Sequence, residues 1–145
     1  MSRPSNDAES PPPHAFCIER VPQSTDIDEL EHVSNVVYLR WVQDVAVQHS
    51  EAVGYDSDAY RELGAVFVVR RHEIDYVRPA YAGERVRICT WVESWRGASA
   101  VRRTSIERAA GGQVARARTL WAFVDRRSGR PVRIPPRLVE TFEGG

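Results

Sequence analysis

The sequence predicts an α+β domain in which a curled, mostly antiparallel five-stranded sheet wraps one long central helix. Three observations carry this. The residues Val36, Val37, Leu39, Trp41, Val42, Val45 and Ala46 cover most of a helix circumference, with only Arg40, Gln43, Asp44, Gln48 and His49 as a polar stripe. A surface helix has a narrower apolar face, so this one is expected to be enclosed on most sides by a sheet. From Gly64 onward the pattern becomes that of strands, and three hairpin-like connections in succession imply antiparallel pairing.

Each element has its own warrant. Residues 1 to 14 are rich in Pro and Ser without periodicity and read as a disordered tail, leaving residues 15 to 142 as one domain. Ala15 to Val21 is a short strand closed by Pro22. A polar, acidic loop then leads to Ser34, whose hydroxyl suits a helix N-cap. Gly54 suits the end of the long helix, and Asp56 or Ser57 can start a brief second helix through Leu63.

Ala65 to Tyr76 is β-branched, with Val69, His72, Ile74 and Tyr76 approximating one face. Pro79 and Gly83 supply turn chemistry before Arg85 to Trp95, where Val86, Ile88, Thr90 and Val92 alternate. Ser99 to Ala109 and Gln113 to Val124 are strands joined through Gly111 and Gly112. Pro131 to Pro136 cannot be a central strand, and the remaining residues form a tail or a short docking segment.

At 145 residues the chain supports a single core. No apolar run approaches the ~18 residues of a membrane span, and the start lacks a signal-peptide segment, so a cytoplasmic protein without membrane or nucleic-acid partners is expected. Cys17 and Cys89 lie in apolar strand-like surroundings and fit buried free thiols, with a disulfide between them as the alternative.

The zero net charge hides a split: residues 1–75 hold 6 Arg against 14 acids, residues 76–137 hold 14 Arg against 4, and there is no Lys. Opposed halves can neutralise each other across the fold; alternatively some guanidinium groups face phosphate or an acidic carrier. The four histidines lack metal-ligand spacing, so no metal is expected.

Asp26, Asp28, Glu29, Glu31, His32, Ser34 and Asn35 gather just before the long helix. Acids there stabilise the helix dipole without any catalytic purpose, and an Asn or His beside a cap is often a brace. The stretch from Asp26 to Leu39 nevertheless resembles the hotdog-fold thioesterases, particularly the branch named for 4-hydroxybenzoyl-CoA thioesterase, with its pattern D-x-D-x-x-G-H-V-N-N-x-x-Y-L before a long helix. Here Asp26, Asp28, His32, Val33, Asn35, Tyr38 and Leu39 match, whereas Glu31 replaces the Gly and Ser34 the first Asn. Tyr76, Pro79 and Gly83, and the strand ending at Asp125, also resemble that branch.

The two edges of a five-stranded sheet and the face that one helix cannot cover predict a homodimer or homotetramer. The resemblance implies hydrolysis of acyl thioesters of coenzyme A or acyl-carrier protein, with coenzyme A entering only as part of the substrate. It implies that Asp28 acts as base or nucleophile. A thioester needs that group, donors for the oxyanion, and a pocket, because its thiolate leaves readily. The N–H groups of Val36 and Val37 at the helix start are candidate oxyanion donors. His32 and Asn35 are candidate positioning or catalytic groups, and Tyr38, Arg70 and Arg71 weaker candidates for substrate contact. Arg102 and Arg103 are weak phosphate candidates, of which one can face any given phosphate. A hotdog hydratase or dehydratase, and a non-catalytic thioester-binding module, are the alternatives.

Overall fold

The computed structural model describes residues 10–144. In chain order these form β1 (Phe16–Arg20), a 3-10 turn (Ser24–Asp26), α1 (Asn35–Ala52), α2 (Ser57–Leu63), β2 (Ala65–Tyr76), β3 (Val86–Arg96), β4 (Ser99–Arg108), β5 (Gln113–Asp125) and α3 (Pro136–Gly144). The tail expected over residues 1 to 14 falls, for its first nine residues, outside the described chain. The strands build one antiparallel sheet in the order β1-β3-β4-β5-β2.

That order corrects one expected connection. β2 pairs with β5 rather than with β3, so the passage from Tyr76 to Val86 is a crossing from one side of the sheet to the other. Only β3–β4 and β4–β5 are hairpins. The crossing segment passes the start of α1, where the Ala80 N–H donates to the Tyr38 hydroxyl and the Val33 N–H to the Ala80 carbonyl. Pro79 and Gly83 therefore shape a strap over the helix.

The sheet's inner face packs on α1. Val37, Tyr38, Trp41, Val42 and Val45 meet Val86, Ile88, Ile106 and Ala117 in one buried cluster. Cross-strand rows explain the selection of these residues: Ile88 pairs with Ile106 and Ile106 with Ala115, and two residues on Thr90 pairs with Thr104 and Thr104 with Ala117. Alternation along β4 thus turns Ala100, Arg102, Thr104 and Ile106 toward the helix.

The helix is less enclosed than its composition suggests. Val36 and Val47 are 62% and 52% exposed, so one flank of α1 faces outward in the protomer. His49, expected on the polar stripe, is instead buried. It follows Val42 and Val45 at spacings of seven and four, which places it on the core face.

The cysteines also differ from the free thiols expected. Cys17 stands directly opposite Cys89 across β1 and β3, with Cα atoms 4.1 Å apart, and the two form a disulfide. Direct opposition across an antiparallel pair is what brings the two side chains together. The thiols therefore give no support to a reducing compartment. No helix among the described residues is long and apolar enough to cross a membrane.

The segment after Ile134 is a docking element: α3 buries Leu138 and Phe142 against a second cluster that includes Ala65, Ala100 and Phe123. Arg116 pairs with Asp75 and Arg85 with Glu19, joining the basic half of the chain to the acidic half. Arg103 and Arg118 both bind Glu93, whose carboxyl is held below its ordinary range first by the Arg118 hydrogen bond and, against the cost of burial, by Arg103.

Candidate active site and a second cavity

Asp28 sits at the head of a tight loop closed by the bridge between Ile27 and Val33. Glu31 N–H donates to the Asp28 carbonyl, Asp28 N–H donates to the His32 carbonyl, and Glu31 itself lies at φ 68°. This is a turn followed by one left-handed residue, a geometry that glycine usually supplies. Glu31 therefore occupies the glycine position of the matched pattern with the glycine conformation preserved.

The loop fixes the carboxylate. Asp28 Oδ1 accepts from the N–H groups of Leu30 at 2.9 Å and His32 at 3.3 Å. Oδ2 accepts no hydrogen bond from any described residue, and the side chain is exposed. One oxygen is anchored while the other is available.

The other expected residues divide. The His32 ring packs edge-on against Tyr81 with centroids 5.4 Å apart, so it is oriented by the strap. Asn35 is the first residue of α1 and is exposed. Ser34 occupies the N-cap position, but its hydroxyl makes no capping bond. Val37 N–H donates to the Ser34 carbonyl at 2.9 Å and is thus occupied, which removes it as an oxyanion donor. Val36 N–H, one residue earlier, has no partner among the described residues and lies at the positive end of the helix dipole.

Tyr38 is buried, and its hydroxyl accepts from the Ala80 N–H, so it braces the strap from within the core instead of facing a ligand. Its phenol pKa is raised by burial. Arg70 and Arg71 lie in the middle of the edge strand β2, exposed, with Arg71 3.9 Å from Glu73. Neither forms a hydrogen bond or ion pair with the Asp28 loop among the described residues. The structure thus places Asp28 and His32 in one hydrogen-bonded loop just before α1, Asn35 and Val36 in the first turn of that helix, and the two arginines in β2. No group of His, Cys, Asp and Glu suited to a metal ion occurs among the described residues.

A model of the thioesterase-like superfamily matches residues 22–142. The chain belongs to that superfamily. The fold is the hotdog fold of its solved relatives. A 1,4-dihydroxy-2-naphthoyl-CoA thioesterase from Synechocystis is 16% identical, with a TM-score of 0.80 over 88% of this chain and 95% of that one. A mutant 4-hydroxybenzoyl-CoA thioesterase, solved with 4-hydroxybenzoyl-CoA, is 20% identical, with a TM-score of 0.82 over 89% of this chain and 99% of that one. A Lactobacillus plantarum protein provisionally named an oleoyl thioesterase is 21% identical, with a TM-score of 0.85 over 89% of this chain. The present chain spans only half, 50%, of that protein's length. A comparison with curated proteins gave no significant match.

This hotdog domain carries a second feature that the loop motif does not foretell. At the other end of α1 a cavity of about 230 Å³ opens between Ala46, Ser50, Tyr60, Phe67, Trp121 and Phe142. Arg102 lines it and is buried. Its Nη1 donates to His49 Nδ1 at 2.9 Å and to Thr90 Oγ1 at 3.1 Å. Because a guanidinium only donates, His49 Nδ1 must accept, which makes this histidine neutral with its proton on Nε2. Burial, and then the Arg102 charge, push the His49 pKa down to about 4. Burial likewise lowers Arg102 to about 10, so it remains a cation at neutral pH.

The signal for Arg102 was present in the strand alternation Ala100, Arg102, Thr104, Ile106, which sets it on the inward face. Arg102 is therefore an interior cation and not the surface phosphate contact expected.

Proposed function

We propose that this protein hydrolyses acyl-coenzyme A thioesters, or the corresponding acyl-carrier-protein thioesters, at the Asp28 end of α1. The observation that carries the reading is the half-anchored carboxylate: Asp28 Oδ1 is fixed by two loop N–H groups while Oδ2 accepts from no described residue. Such a group is oriented for general-base or nucleophilic work, and superfamily membership supports the reaction class.

As base, Asp28 takes a proton from water as the water oxygen attacks the thioester carbonyl carbon. Negative charge gathers on the carbonyl oxygen, which the Val36 N–H and the helix dipole stabilise. The carbon–sulfur bond then breaks, and the proton held by Asp28 or a solvent proton neutralises the thiolate. As nucleophile, Asp28 instead displaces the thiolate to form an acyl anhydride, which water cleaves to the free acid. His32, held by Tyr81, and Asn35, at the helix start, flank the reacting group as positioning residues. Leu30, Val36, Tyr76, Val77 and Tyr81, all at least 40% exposed, belong to the elements around this loop and offer an apolar rim to an acyl group or to a second copy of the chain.

The test is thiol release from a panel of acyl- and aroyl-CoA esters and acyl-carrier-protein thioesters, with Asp28→Asn as the comparison. Turnover by the wild-type protein that the variant loses supports the assignment and names the acyl group. Tight binding with no turnover of any member would replace it with a thioester-binding module.

A further inference from the structure

The cavity at the far end of α1 is lined by a buried cation, Arg102, that bonds to the protein through Nη1 alone. A buried guanidinium without a carboxylate is costly, because desolvation of the charge is offset only by neutral hydrogen bonds. Here no Asp or Glu lies within ion-pair distance of Arg102 among the described residues. Its two bonds both leave from Nη1; Nε and Nη2 have no partner among those residues. That unpaired edge is the side of the guanidinium that receives two oxygens of one carboxylate. Phe142 covers the group, with its ring centroid 5.9 Å from Cζ.

Ala100 stands between Trp95 and Trp121 in a single cross-strand row, and its small side chain leaves a hollow between two indoles. Both indoles line the cavity, while their Nε1–H groups are sealed away from accessible space. The open edge of Arg102 is thus a polar feature of a wall that includes Trp95, Trp121, Phe67 and Phe142. The remainder of the wall is largely aromatic and aliphatic, which suits an apolar tail. A cavity of about 230 Å³ has room for a medium-chain or single-ring acid.

We propose that this cavity binds an apolar monocarboxylate, acyl or aryl, with its carboxylate on the Nε and Nη2 edge of Arg102 and its tail between Trp95, Trp121 and Phe142. The site does not depend on the Asp28 assignment. It lies about 20 Å along α1 from the Asp28 loop, since Asn35 and His49 are separated by fourteen residues at 1.5 Å each. One anionic charge balances the one buried cation, whereas a phosphate dianion would leave an excess charge in an apolar wall.

Titration of the wild-type protein with octanoate, cinnamate and octan-1-ol, followed by calorimetry and by tryptophan fluorescence, tests this. Octanoate or cinnamate is expected to bind at least tenfold more tightly than octan-1-ol and to change the emission of the cavity indoles. Arg102→Met, which removes the charge but keeps most of the volume, is expected to abolish or reverse that preference. Trp121→Phe provides a variant with the guanidinium intact and is expected to weaken carboxylate binding several-fold. Equal binding of octanoate and octan-1-ol to the wild type, no binding of either carboxylate, or unchanged octanoate affinity in a folded Arg102→Met protein would each overturn the proposal.

Discussion

Arg102 Nη1 donates to His49 Nδ1 across 2.9 Å in the interior, so a cation from β4 is joined to a neutral histidine from α1. The contact links the helix to the sheet where Phe16 stacks on His49 and Phe142 meets its edge. It also fixes the sign of an acid response. His49 titrates at about 4 in the fold, lowered by burial and by Arg102, against 6.5 when unperturbed. Between these values the unfolded chain takes up a proton that the native chain refuses. Stability from this residue is therefore complete above about pH 6.5 and is lost as pH falls toward 4, by roughly 3 kcal/mol in total. Urea denaturation from pH 7 to 4 should show this fall, and His49→Gln, which keeps an acceptor without titrating, should flatten it.

The Cys17–Cys89 bridge ties the five-residue edge strand β1 to β3 and spans 72 residues of sequence. Closing so long a loop restricts the unfolded chain, and Cys17→Ser/Cys89→Ser is expected to cost about 2 to 4 kcal/mol. Denaturant midpoints with and without a reductant should differ in the wild type and coincide in the double variant.

Glu31 holds a left-handed φ of 68° at the tip of the Asp28 loop. Glu31→Gly removes a conformational strain of about 1 to 2 kcal/mol. The greater freedom of glycine in the unfolded chain offsets part of it, leaving a gain of about 0.5 to 1 kcal/mol. Thermal unfolding should record a raised midpoint, while thiol-release activity stays near the wild-type level because the loop already has the glycine geometry.

β2 is a twelve-residue edge strand, paired on one side only by β5, and Val36 and Val47 leave a flank of α1 uncovered. An edge of that length is a pairing surface, and a second copy can cover both features. Sedimentation at micromolar concentration is expected to give twice the 16.4 kDa chain mass or a higher even multiple. A stable monomer would contradict the expectation.

Local pattern carried most of the elements. Ala65–Tyr76 was legible from β-branched composition, and α2 from the Asp56 side chain that accepts the Ala59 N–H at its cap. What the sequence concealed depends on register and long-range pairing. The Cys17–Cys89 bridge needs the β1–β3 register, the crossing after Tyr76 needs the β2–β5 pairing, and the Arg102–His49 contact needs both a strand face and a helix face. At the active-site end, the motif located Asp28, but backbone bonding separated the two expected donors: Val37 turns back onto Ser34, whereas Val36 does not. The second cavity left no motif, because its wall is assembled from α1, α2, β2, β3, β4, β5 and α3.

The most direct test of the function is the kcat and KM of Asp28→Asn on whichever acyl-CoA ester the wild type cleaves best, with thermal unfolding as a control on the fold. Removing the base while keeping the amide's shape should lower kcat by about 100-fold or more, with KM and the unfolding midpoint little changed. An unaltered kcat in the folded variant would make Asp28 a loop-bracing acid and place the chemistry elsewhere.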